Sequence, residues 1–146
     1  MEISTTRFGP VRIEPDDILH FPAGLLGMED CRQWVVLGDR QNDVVAWLQS
    51  VERPRIALAV VSPRRFVPDF RMRVARAELE PLELAEVSAS EVLVIVGRTD
   101  RSITLNLKAP LVINPARRIG RQVVTNGDLP VAYEIRSGQA ALRKSA

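Results

Sequence analysis

Few side chains in this sequence have the types and spacing that chemistry requires. His20 is the single histidine and lies between Leu19 and Phe21 in an apolar run. A lone histidine in such a run is more often a structural residue with a satisfied hydrogen bond than a ligand or a base. Cys31 is the single cysteine, so the chain can form no internal disulfide and offers no cysteine cluster for zinc. Cys31 and His20 would act as nucleophile and base only if the fold brought them into contact. Adjacent acids occur at Asp16-Asp17 and Glu29-Asp30, a pattern common in solvated loops. No nucleophile elbow, zinc-binding H-E-x-x-H or phosphate-binding loop is present, and Gly24 and Gly27 do not follow a dinucleotide pattern. The sequence therefore predicts a protein that is not an enzyme, and it shows no metal-binding motif.

The arginines are the next candidates. Lys108 and Lys144 are the only lysines among 20 cations, which stand against 18 acids for a net charge of +2. Arg64, Arg65, Arg71, Arg73 and Arg76 form one group, and Arg117, Arg118 and Arg121 another. Basic strands interleaved with aromatic rings bind single-stranded RNA on β-barrels. Here aromatics are 5% of the chain, and Glu78, Glu80, Glu83 and Glu86 follow the first group directly. The charge excess is small for a protein that grips a phosphate backbone. A solvated arginine face is the stronger reading. A β-barrel that binds RNA directly through an arginine-rich strand is the alternative.

The elements that must position these residues are short. The 146 residues suit one domain. Ten prolines and eight glycines leave little room for long helices, and the runs between them are rich in Val, Ile and Leu, as in β proteins. Residues 103–108 alternate strictly, with Ile103, Leu105 and Leu107 on one face. Pro110 must end or bend that strand because it has no N–H to donate. Asn106 and Asn114 are placed to satisfy backbone groups where the ladder breaks. Residues 44–51, VVAWLQSV, are apolar on both faces and predict a central strand. Residues 70–75 alternate Phe70, Met72 and Val74 with Arg71, Arg73 and Ala75, predicting an amphipathic strand with a basic outer face. A first strand is expected over 3–8 with its turn at Gly9-Pro10, and a short helix over 77–84, started or weakened by Pro81. The expected fold is all-β, mainly antiparallel: a single β-barrel-like domain of nine or ten strands with one short helix. It spans residues 1–136 and leaves 137–146 as a flexible C-terminal tail. No signal peptide is apparent at the start. No apolar run approaches the roughly 20 residues that span a bilayer. A soluble, cytoplasmic protein is expected.

Without a catalytic site, a protein-interaction module remains. Met28, Phe66, Phe70, Met72 and the loop arginines are types that protein contacts favour.

A set of short motifs in fixed order says more. It comprises Arg7-Phe8-Gly9, then Phe21-Pro22-x-Gly24-Leu25-x-Gly27-Met28-Glu29, then Trp47-Leu48-Gln49-Ser50-Val51. Pro63, Pro68-Asp69-Phe70, Asn106-Leu107-x-Ala109-Pro110-Leu111-Val112-Ile113-Asn114 and Arg118-x-Gly120-Arg121-Gln122-Val123-Val124 complete it. This order resembles the FliW family of flagellar assembly factors, from about Thr5 to Val124. Leu26 stands where the family commonly has proline, and Met28 where it has an aromatic. The resemblance implies a small bacterial β-barrel-like protein without cofactor that binds flagellin in the cytoplasm. It also implies binding of the RNA-binding translational regulator CsrA, whose repression of flagellin mRNA is thereby relieved. The protein itself is expected to bind neither nucleic acid nor membrane.

The resemblance assigns no contact residues. The loops at 26–30 and 66–70 are the expected contact surfaces, since both set apolar or aromatic side chains beside acids outside regular strands. Leu26, Met28, Glu29 and Asp30 belong to the first, and Phe66, Asp69 and Phe70 to the second. Glu29 and Asp69 would pair with arginines of a basic partner. In the competing reading Met28, Phe66 and Phe70 only plug the barrel ends.

Overall fold

Runs of Val, Ile and Leu between the prolines and glycines become strands, because branched side chains fit a pleated surface covered on both faces. The structure, a computed structural model, describes residues 1–135. The expected tail over 137–146 lies outside the described residues. The strands are β1 (Glu2–Thr5), β2 (Gly9–Arg12), β3 (Leu19–His20), β4 (Gln33–Gly38), β5 (Ala46–Ser50), β6 (Ala57–Val61), β7 (Glu91–Arg98), β8 (Ile103–Leu105), β9 (Leu111–Asn114), β10 (Ile119–Gln122) and β11 (Tyr133–Glu134). Among the described residues there is one α-helix, α1 (Arg76–Leu79), which runs into a 3-10 turn at Glu80–Leu82.

Pairing runs β7-β6-β5-β4-β3-β10-β9 and returns to β7, closing a seven-strand barrel. β5 is central, as its two apolar faces require. The ladders are antiparallel except where β10 meets β3 through Ile119 and His20. The expected all-β, barrel-like architecture is the observed one.

β7 carries the closure. Its first half pairs with β9 through Leu93↔Leu111, and its second half with β8 through Val96↔Leu105. Between those two pairs the chain advances three residues along β7 and six along its partner. β8 and β9 are thus one strand interrupted by a bulge that ends at Pro110. The Asn106 side-chain oxygen accepts the Ala109 N–H at 3.0 Å inside that bulge. This is the backbone service expected of an asparagine at a broken ladder.

Alternation sorts the side chains into layers. Leu19, Trp34, Leu48, Val60, Leu111 and Ile113 point into the barrel with Phe21 and Leu25. Gly120 belongs to this interior, because a Cβ there would stand 2.3 Å from the Phe21 ring. Fully burying side chains of this kind contributes about 1.5–3 kcal/mol each. The opposite faces are covered from outside. Trp47, Val61 and Val94 are covered by β8, Leu107, Ile135 and Phe70. Val35 is covered by Ile3 and Ile13 beside the β1–β2 hairpin, and Val112 by Leu82.

Three local expectations need correction. The first turn falls before Gly9, not at Gly9-Pro10, and β2 folds back onto β1. Thr5 Oγ1 accepts the Phe8 N–H at 2.9 Å and donates to the Gly9 carbonyl at 2.7 Å, which closes the turn early. Pro10 then sits in a two-stranded ladder, where its missing N–H is tolerated. Residues 70–75 keep their alternation, with Phe70, Met72 and Val74 turned inward and Arg71 and Arg73 exposed, yet they join no ladder. Packing of the apolar members against the outer faces of the barrel holds the segment extended. Among the described residues the strands number eleven and not nine or ten, because the chain is cut into shorter pieces than the apolar runs suggest.

Candidate functional site

The loop at residues 24–32 is built to hold a specific shape. Leu25 and Met28 exchange backbone hydrogen bonds at 2.8 and 3.3 Å, making a two-residue turn with Leu26 and Gly27 at its tip. Gly27 has φ +84°, the value a type II turn demands at its third position. Gly24 has φ +67°, and a Cβ there would lie 2.5 Å from the Glu29 backbone. Leu25 is buried in the barrel and Met28 is half-buried against the same cluster. Leu26 is 58% exposed at the tip.

Neighbouring elements clamp this loop. The Leu26 N–H donates to Gln122 Oε1 on β10 at 2.8 Å, and Gln122 Nε2 donates to the Ala109 carbonyl at 3.1 Å. The bulge before Pro110 therefore reaches the loop tip through one side chain. On the other flank Glu52 Oε1 accepts the N–H groups of Arg32 and Gln33, both at 2.8 Å. Asp30 forms an ion pair with Arg53. Gln49 and Ser50 brace the turn that carries Glu52 and Arg53. Gln49 Nε2 donates to the carbonyls of Ser50 and Pro54, and Ser50 Oγ accepts the Arg53 N–H. The amide and hydroxyl of the Trp47-Leu48-Gln49-Ser50 motif thus hold a turn that in turn holds the loop.

The acids of this loop differ in role. Asp30 is engaged with Arg53 across an exposed pair, worth about 0–1 kcal/mol. Glu29 is exposed, and its Oε2 accepts the Gly27 N–H at 3.0 Å within the turn. Among the described residues Glu29 forms no ion pair, so its charge remains available at the tip beside Leu26.

The loop at 66–70 is of another kind. It follows a 3-10 turn at Pro63–Arg65. Phe70 is a correction: expected at a contact surface, it is 5% exposed and packs with Trp47, Val61 and Val94. Phe66 is half-buried against the same cluster. Both rings are packing residues, but they cover the outer face of the barrel and do not plug its ends as the competing reading had it. Asp69 is exposed, but Arg64, Arg65, Arg71, Arg73 and Arg76 surround it in sequence and are all exposed. A carboxylate within that run offers a basic partner no net negative surface. The two loops also anchor in different core clusters, Met28 in the barrel interior and Phe66 on the outer layer.

His20 and Cys31 do not share an environment. His20 is exposed on β3, outside the structural role expected of it, while the Cys31 thiol is buried and faces Asp30. Sequence reasoning missed Gln122, Glu52 and Arg53 as loop supports. It also missed Arg7, whose guanidinium sits 3.6 Å over the Trp47 ring while Phe8 meets that ring edge-on. Their partners are distant in the chain, and no local pattern marks them.

The chain matches known proteins over nearly its whole described length. The family model described as "FliW protein" matches residues 2–135. A flagellar assembly factor FliW of Bdellovibrio bacteriovorus is 40% identical over 126 residues, covering 85% of this chain and 72% of that protein. One from Natranaerobius thermophilus is 33% identical over 127 residues, covering 85% and 84%. A crystal structure of the flagellar assembly factor FliW superposes with a TM-score of 0.85 at 28% identity, covering 92% of this chain and 96% of that one.

Proposed function

We propose, because this chain belongs to the FliW family of flagellar assembly factors, that it binds flagellin in the cytoplasm and also captures the translational regulator CsrA. Capture relieves CsrA's repression of flagellin mRNA. When flagellin accumulates it occupies this protein, CsrA is released, and flagellin synthesis falls. Mass action suffices if the two complexes exclude each other. Flagellin at about 100 times its Kd would then lower the apparent affinity for CsrA about 100-fold, or about 2.7 kcal/mol. Such a switch needs no catalytic group, only surfaces of the right shape and charge.

The observation that carries the contact assignment is the rigid tip at 26–30. An exposed leucine beside an unneutralised glutamate, held by Gln122 and Glu52, suits a partner with arginines around an apolar spot. Asp69 is the weaker of the two acids, given its arginine neighbours.

A gel shift with the flagellin leader RNA tests the function. This protein alone leaves the RNA unshifted, reverses a shift caused by CsrA, and loses that effect when flagellin is added. Glu29→Ala weakens CsrA binding about tenfold, or about 1.4 kcal/mol, with the melting temperature unchanged. A pull-down that recovers neither flagellin nor CsrA sinks the proposal.

A further inference from the structure

Two surface grooves meet at Val87. The first, of about 450 Å³, has Phe70, Met72, Val87 and Val92 on its floor, with Ser62 and Arg64 among its lining residues. The second, of about 530 Å³, is lined by Val74, Leu79, Leu84 and Val87 together with Arg76, Glu80 and Glu86. Val87 belongs to both and is 61% exposed. An aliphatic side chain so placed gains from being covered.

Charge says what would cover it. Among the described residues Arg64 is the only charged group lining the first groove. Arg65, Arg71, Arg73 and Arg76 follow it along the chain, all exposed, with Asp69 as the one acid among them. None of these five arginines forms an ion pair among the described residues, where the salt bridges use Arg53, Arg117 and Arg121. The second groove is mixed, since Arg76 shares it with Glu80 and Glu86. The double groove is thus polarised, cationic toward Arg64 and net negative toward Leu84, where two glutamates outnumber one arginine.

Nucleic acid is the weaker match. The exposed large apolar residues are Met1, Leu26, Val36, Val87, Val124 and Val131, with no ring among them. Base stacking needs an exposed ring, and the described surface presents none in this segment, where Phe66 is half-buried and Phe70 buried.

We propose that this double groove is a docking site for an acidic amphipathic segment of a partner protein. Its aliphatic side chains cover Val87, Met72 and Leu84, and its carboxylates lie toward Arg64. This surface is separate in residues from the Glu29 tip, its Arg64 end is opposite in charge to that tip, and its existence does not depend on which partners the tip binds.

The test is an NMR titration of the whole protein with a synthetic peptide carrying leucines at i, i+3, i+4 and i+7 and glutamates between them. Amide shifts should move at Ser62, Arg64, Val87 and Ser88. Arg64→Glu and Val87→Asp should each weaken binding about tenfold while melting temperatures stay unchanged, both sites being exposed. Replacing the peptide's glutamates with glutamine should weaken binding similarly. The proposal is overturned if no shifts appear, if they map elsewhere, or if Arg64→Glu binds the peptide as well as the native protein. It is equally overturned if a single-stranded RNA oligonucleotide binds this surface more tightly than the peptide.

Discussion

Asn114→Ala should be among the most damaging single truncations of a polar side chain in this protein. Asn114 ends β9 and is buried. Its Nδ2 donates to the Leu82 carbonyl at 2.8 Å in a buried bond, and to the Glu83 carbonyl at 3.2 Å. Its Oδ1 accepts the Ala116 N–H at 3.2 Å. One side chain therefore closes the turn after β9 and ties the segment after α1 to the barrel. Truncation leaves the Leu82 carbonyl buried without that donor, at a cost of about 1–3 kcal/mol. The two part-buried bonds add about 0.5–1 kcal/mol each. We expect a loss of about 2–5 kcal/mol, which lowers the melting temperature by about 6–15 °C for a domain of this size. Urea denaturation of both proteins measures it, read from the midpoint at an unchanged slope. Asn106→Ala is the internal control. Asn106 makes one part-buried bond, to Ala109, and should cost about 1 kcal/mol. The reasoning is refuted if Asn114→Ala costs less than about 1 kcal/mol, or no more than Asn106→Ala.

Other outcomes follow from the same geometry. Gly24→Ala and Gly27→Ala both place a side chain at positive φ, a strain of about 1 kcal/mol, but only at Gly24 would the new Cβ strike backbone. Denaturation should show Gly27→Ala losing about 1 kcal/mol and Gly24→Ala clearly more, with partner binding impaired only by Gly24→Ala; equal losses would contradict the clash. Gly120→Ala should cost about 3 kcal/mol, the upper range for overpacking, because the Phe21 ring fills the site; a calorimetric melt checks it. The buried Cys31 thiol should stay unreactive to a bulky disulfide reagent in the native protein and react with one equivalent in denaturant, so rapid native modification would show that the barrel end opens.

Much of the local architecture was legible because it rests on local causes. The alternation at 103–107 fixes which residues of β8 turn inward, and Pro110 breaks the ladder wherever its neighbours lie. Asn106 and Asn114 were readable as backbone partners because an amide beside a broken strand has few other uses. The candidate site was legible only in part. Residues 26–30 carry turn glycines that announce an ordered loop, so Leu26 and Glu29 could be named from their types. Phe70 was misplaced, because an aromatic between a proline-rich loop and an alternating run looks the same whether it faces solvent or plugs the core.

The sequence by itself determined the family, the β class, the central position of β5 and the break before β9. Each is a property of neighbouring residues or of motif order. The tertiary structure alone decided how the barrel closes, with β7 shared between β8 and β9 and β10 meeting β3 in parallel. It alone gave Asp30 to Arg53, set Arg7 over Trp47, and brought Arg64 to an apolar groove where it has no ionic partner among the described residues. A period of two says which face a side chain takes, and a turn residue says where the chain reverses. Neither specifies which distant segment will stand opposite, because that choice is made by the joint packing of every strand around one closed core.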